Sequence, residues 1–110
     1  MQSWTVVGTS VAATEQTITK AAVTGRTHFV TGFTVSVITA DVTGDCSIIL
    51  KDGTTAKYTT YFGDSDVRGA ERWREFVHPI KMTQGTAANL VIASAGSLAV
   101  TVGSMKGYTV

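Results

Sequence analysis

Few residues in this sequence could do acid–base, nucleophilic or metal chemistry, and they stand far apart. There are two histidines, His28 and His78, and one cysteine, Cys46. Neither histidine has a second ligand at metal-type spacing: no His-x-His, His-Glu-x-x-His or Cys-x-x-Cys occurs. Both read as surface or interface histidines. Asp64 and Asp66, in Gly63-Asp64-Ser65-Asp66, have the alternating spacing of a calcium loop. The bidentate glutamate that should follow is missing, so a solvated turn is expected. No serine lies in a Gly-x-Ser-x-Gly elbow, and the glycines fall singly across turns rather than in a phosphate loop. Catalysis, a metal and a cofactor are therefore not expected. A lone cysteine leaves no internal disulfide and no Cys-rich zinc site. In the run Cys46-Ser47-Ile48-Ile49-Leu50 it reads as a small buried hydrophobe.

Charge placement points to binding instead. Asp64, Asp66, Arg68, Glu71, Arg72, Arg74 and Glu75 crowd into one stretch, interleaved with Tyr61, Phe62, Trp73 and Phe76. Aromatic residues and arginine are enriched at interface anchors. Tyr61, Phe62, Asp64, Asp66, Arg68, Arg72, Trp73, Arg74 and Phe76 are accordingly the candidate protein-contact residues. The competing reading is a solvated loop followed by an edge strand guarded by charge. Nucleic acid is not an expected partner, because the neighbouring acids offset the three arginines.

The elements that must position this stretch are strands. Turn residues separate runs near Trp4–Val7, Thr17–Ala22, Thr27–Thr39, Cys46–Leu50, Thr54–Phe62, Arg72–Val77, Asn89–Ser94 and Ser97–Tyr108. The third run alternates most clearly: Phe29, Thr31, Phe33, Val35 and Val37 would share one face. Two hairpins follow from register. A three-residue loop, Lys51-Asp52-Gly53, would pair Leu50 with Thr54 and set Cys46 and Ile48 opposite Tyr58 and Ala56, with Gly53 left-handed at a bulge. Ser94-Ala95-Gly96 would place Leu90 and Ile92 opposite Val100 and Leu98. Phe29, Phe33, Val35, Val37, Ile48, Leu50, Leu98 and Val100 form the expected core. About eight strands at this spacing predict an all-β, two-layer antiparallel sandwich, with jelly-roll and Greek-key orders both open.

Composition agrees. The 110 residues suit one domain, with residues 1–15 a candidate N-terminal arm, and 44% are hydrophobic, enough for a packed core. Charged residues are only 15%, against ~25% in typical soluble domains. Threonine, serine and glycine take their place, and β-branched threonine and valine favour strands. A net charge of +1 leaves no broad footprint for nucleic acid or an anionic membrane. No signal peptide opens the sequence, and no apolar run nears the ~20 residues of a membrane helix. Synthesis in the cytosol is the expectation.

The order of short segments resembles a group of small β proteins encoded among the structural genes of tailed bacteriophages. It is carried by His28-Phe29-Val30-Thr31-Gly32-Phe33, Leu50-Lys51-Asp52-Gly53-Thr54-Thr55, Phe76-Val77-His78-Pro79-Ile80, Gly85-Thr86-Ala87-Ala88-Asn89-Leu90 and Gly107-Tyr108-Thr109. The charged segment from Asp64 to Arg74 departs from the group's pattern. The resemblance implies a virion protein made in the host cytoplasm: a capsid decoration or cement subunit, homo-oligomeric (a trimer), bound to the major capsid protein or other virion proteins. It supplies no catalytic residues. The second reading is a receptor- or glycan-binding module of a fibre, spike or tail, with Tyr58, Tyr61 or Trp73 stacking on a sugar.

Overall fold

A computed structural model describes residues 1–8, 11–12, 14–38, 40–63, 66–95 and 100–110. Within them the chain is all-β, without helix, and forms nine strands: β1 (Gln2–Val7), β2 (Val11–Ala12), β3 (Gln16–Lys20), β4 (His28–Ile38), β5 (Cys46–Asp52), β6 (Thr55–Phe62), β7 (Glu71–Lys81), β8 (Ala88–Ile92) and β9 (Val100–Thr109). Every pairing is antiparallel. One sheet runs β1-β9-β4-β7, with β2 also on β9; the other runs β3-β8-β5-β6. The chain changes sheet at every connection except β1–β2 and β5–β6. That is jelly-roll order, one of the two the sequence left open. Two segments of the expected arm belong to the first sheet: β1 pairs with β9 over its whole length, and Val11–Ala12 pairs with β9 further along.

Alternation drives each strand into place. In β5, Cys46, Ile48, Leu50 and Asp52 are buried while Ser47, Ile49 and Lys51 are half-exposed. With Cys46, Ile48 and Leu50, the residues Ile18, Val35, Val37, Phe62, Leu90, Ile92 and Met105 form one core between the sheets. Cys46 is buried as expected, its thiol donating to the Ala93 carbonyl (3.1 Å). Burial raises that thiol to about 11.

Three expectations about register need correction. The β5–β6 turn is Gly53-Thr54, with Asp52 opposite Thr55 and Leu50 opposite Tyr58. A bulge at Lys57 absorbs the extra residue. It keeps Tyr58, Thr60 and Phe62 on the core side, opposite Leu50, Ile48 and Cys46, and leaves Thr54 and Ala56, which the longer loop would have set against Leu50 and Ile48, exposed. Gly53 has φ +59°, as expected, and a Cβ there would lie 3.0 Å from Thr86 Cγ2. The Asp52 carboxylate accepts from the amide and hydroxyl of Thr83, and the Gly53 amide donates to Ala87. Tertiary bonds, not loop length alone, set this turn.

The β8–β9 hairpin does not form. β8 pairs with β3 and β5, and β9 with β1 and β4, so the two lie in different sheets. Leu98 lies outside the described residues.

In β4 the alternation breaks at Thr31. Val30 faces Gly107 and Gly32 faces Lys106, so Thr31 is an inserted bulge residue. Phe33, Val35 and Val37 point into the core as expected. Before the bulge it is His28 and Val30 that point inward, while Phe29 stacks on Tyr108 outside, 5.0 Å between centroids. Phe29 is therefore only half-buried; Val100 is half-buried too, opposite the exposed Ile38 at the far end of β4. His28, expected at the surface, is 1% exposed. Its Nε2 lies 2.8 Å from the Ala21 carbonyl, which can only accept, so Nε2 carries the proton. Nδ1 then accepts from the Thr109 hydroxyl at 2.7 Å, and that hydroxyl accepts from Trp4 Nε1 at 3.1 Å. A histidine with both ring nitrogens hydrogen-bonded can be buried, and the bulge is what turns it inward.

Candidate protein interface at the open side of the sandwich

β6 and β7 are the last strands of their sheets and lie along the same side, in contact with each other. Among the described residues each pairs with one neighbour only, so this side presents two strand edges. The charged and aromatic stretch runs along it.

Alternation sorts the residues of β7 by charge. Val35 and Phe33 are core residues, so their partners Arg72 and Arg74 turn toward the seam between the sheets. Glu71, Trp73 and Glu75 oppose Ser36, Thr34 and Gly32 and face outward. Gly32 has a specific task. A Cβ there would come within 2.7 Å of the Arg74 carbonyl and crowd Lys106 and Glu75. Without it, Lys106 reaches across to Glu75 at 2.6 Å.

The two arginines close the seam. Arg72 donates to the Tyr61 carbonyl (3.0 Å) and to Asp66 (2.9 Å), its guanidinium 5.0 Å above the Phe62 ring. Asp66 also accepts from the Gly63 amide at 2.7 Å. The arginine thus ties the turn after β6 back onto β7, and Asp66 serves that tie. Arg74 lies over Tyr58 (5.7 Å) and Phe76 (5.9 Å), with Phe76 edge-on to Tyr58 and tilted against Phe33. Charged residues pointing inward at an edge strand discourage pairing with another chain. The capped Tyr61 carbonyl acts the same way on β6.

Past Glu75 the strand bulges. Glu75 faces Gly32 and Ile80 faces Val30, so Thr31 alone stands against Phe76, Val77, His78 and Pro79. Proline cannot donate to the ladder and belongs at such a site. Phe76 folds inward, half-buried, while Val77 is 89% exposed and His78 is exposed. Trp73 (64% exposed), Val67 (63%) and Tyr61 (58%) are exposed as well.

The nine sequence-chosen residues therefore separate. Phe62 is wholly in the core and offers no surface. Arg72, Arg74 and Phe76 build the seam, and Asp66 anchors Arg72. Arg68 is exposed, its amide held by Asp41 (2.8 Å). Asp64 lies outside the described residues. Trp73 and Tyr61 remain as exposed aromatics, but on the outer faces of different sheets. Val67 and Val77 were not singled out in the sequence. Pro79 was the available signal, since proline in a strand marks an edge or a bulge. No group of three metal-ligating side chains occurs among the described residues.

No family model, curated protein or solved structure matches the chain.

Proposed function

We propose that this chain is a non-enzymatic structural protein of a virus particle, a capsid decoration or cement subunit made in the host cytoplasm. It would bind the major capsid protein, and its own copies as a trimer, through the β7 side of the sandwich. One observation carries the proposal: Trp73 and Val77 stand exposed on an edge strand braced from its other face by Arg72, bonded to Tyr61 and Asp66, with Arg74 lying over Tyr58 and Phe76. A buried tryptophan offers ~150–250 Å² of contact at low entropic cost, which suits an anchor held by a rigid element. Arrayed copies then gain by multivalency, so each contact can be modest. The resemblance to small phage structural proteins supports the reading, and so does the strand order. Jelly rolls also serve lectins and cupins, so the fold alone does not decide function.

Sugar binding is less well supported. Tyr58 packs inward against Phe76, while Tyr61 and Trp73 face outward from opposite sheets. No one ring of a glycan can stack on all three.

The test is occupancy on undecorated capsids of the phage that carries this protein, beside the melting temperature of the free chain. Trp73→Ala and Val77→Asp should each cut occupancy about tenfold or more with melting unchanged, whereas Arg68→Ala should change little. Full occupancy in both variants would remove this side from the interface. Saturable binding to a glycan array, lost in Trp73→Ala, would favour the fibre-module reading instead.

A further inference from the structure

At the opposite side of the sandwich a pocket of about 320 Å³ opens between the start of β1, the ends of β3 and β9, and the β3–β4 turn. Its lining is Met1, Gln2, Lys20, Val23, Arg26 and Thr109. The whole chain carries nine basic and eight acidic residues, yet among the described residues this lining holds Lys20 and Arg26 and no acidic side chain. Neither Lys20 nor Arg26 belongs to an ion pair among the described residues, where the two bridges are Arg72–Asp66 and Lys106–Glu75.

The walls are also braced. The Lys20 ammonium sits 5.7 Å from the centre of the Trp4 ring. Trp4 is fixed by its hydrogen bond to Thr109, which is 93% buried (7% exposed) and bonded onward to His28. Arg26 leaves a tight turn, its amide donating to the Val23 carbonyl (3.0 Å) and its carbonyl accepting from Gly85 (2.7 Å). Two cations without an ion-pair partner on the wall of one concave, partly polar site favour an anion, because an oxyanion can accept charge-assisted hydrogen bonds from both. We propose that this pocket binds a small oxyanion, the carboxylate or phosphate group of a ligand, through Lys20 and Arg26.

Trp4 supplies the readout. An anion that draws the Lys20 ammonium off the indole should shift Trp4 emission, which a Trp73→Phe background isolates. Titration with inorganic phosphate and with acetate, at ionic strength fixed by chloride, should give a saturable shift. The tighter of the two identifies the ligand group. Lys20→Gln and Arg26→Gln should each weaken binding roughly five- to tenfold, and together abolish it, without lowering the melting temperature. Amide resonances of Lys20, Val23, Arg26 and Thr109 should move with the same midpoint. The proposal falls if neither anion gives saturable behaviour, if chloride alone reproduces the curve, or if the double variant responds like the parent.

Discussion

The Thr109 hydroxyl accepts from Trp4 and donates to His28, so one side chain joins β1, β9 and β4. Thr109→Val would leave the indole N–H and the imidazole Nδ1 without partners in a buried place. It should cost about 1–3 kcal/mol, measured by urea denaturation, while Thr109→Ser should keep most of the stability. Cys46 gives a second residue-scale prediction. The unfolded thiol titrates near 9.0, and burial pushes the folded one to about 11. The native state therefore holds its proton longer than the unfolded chain. Stability should be insensitive to this group below pH 9.0, fall as pH rises from 9.0 to about 11, and level off beyond. Cys46→Ala should flatten that part of the profile, as seen by comparing denaturation midpoints across the window. An unchanged slope would assign the loss to other groups.

At the scale of the element, the β5–β6 turn and the β7 edge behave differently. Gly53→Ala meets both a left-handed φ and the Thr86 methyl at 3.0 Å, so it should destabilise by about 1 kcal/mol or more. Leu50, fully buried beside that turn, should cost ~2–5 kcal/mol as Leu50→Ala, read from the same denaturation curves. On β7 the seam and the outward face can be separated. Arg72→Ala removes bonds to Tyr61 and Asp66 and cover from Phe62, so it should lower the melting temperature. Trp73→Ala, at a side chain 64% exposed, should not. If Trp73→Ala melts as early as Arg72→Ala, the indole belongs to the monomer's stability rather than to a partner.

For the whole molecule, jelly-roll order makes almost every strand pairing non-local. β5–β6 is a tight hairpin, whereas β1 must find β9 across nearly the full chain. Loop closure precedes the reward of such contacts, so refolding should be slow, on the order of milliseconds to seconds, and stopped-flow Trp fluorescence would measure it. Microsecond folding would contradict this topology. The same order places β6 and β7 together on one side and β1 and β3 on the other. The aromatic edge and the cationic pocket therefore sit apart, and each can be altered without the other.

What the sequence determined by itself is what depends on neighbours along a strand. Period-two alternation marked β4, and together with hairpin register it put Phe33, Val35, Ile48 and Leu50 in the core, while the crowding of charges and aromatics marked the stretch that includes β7. Side chains two residues apart must share a face wherever the strand is regular, so no tertiary knowledge was needed. Tertiary structure decided the places where regularity stops. The insertions at Thr31, at Lys57 and at Phe76–Pro79 each shift which residues face inward, and they depend on partners distant in sequence: Thr109 for His28, Thr83 and Ala87 for the Gly53 turn, and the β4 ladder for Val77. Sheet membership was decided at the same level. The β8–β9 segment has hairpin-like turn residues, but β8 meets more of its complementary surface between β3 and β5, and β9 between β1 and β4. The fate of Phe62 and Trp73 follows from this. Both are aromatic residues in one charged stretch, and only the packing of one sheet on the other buries the first and leaves the second in solvent.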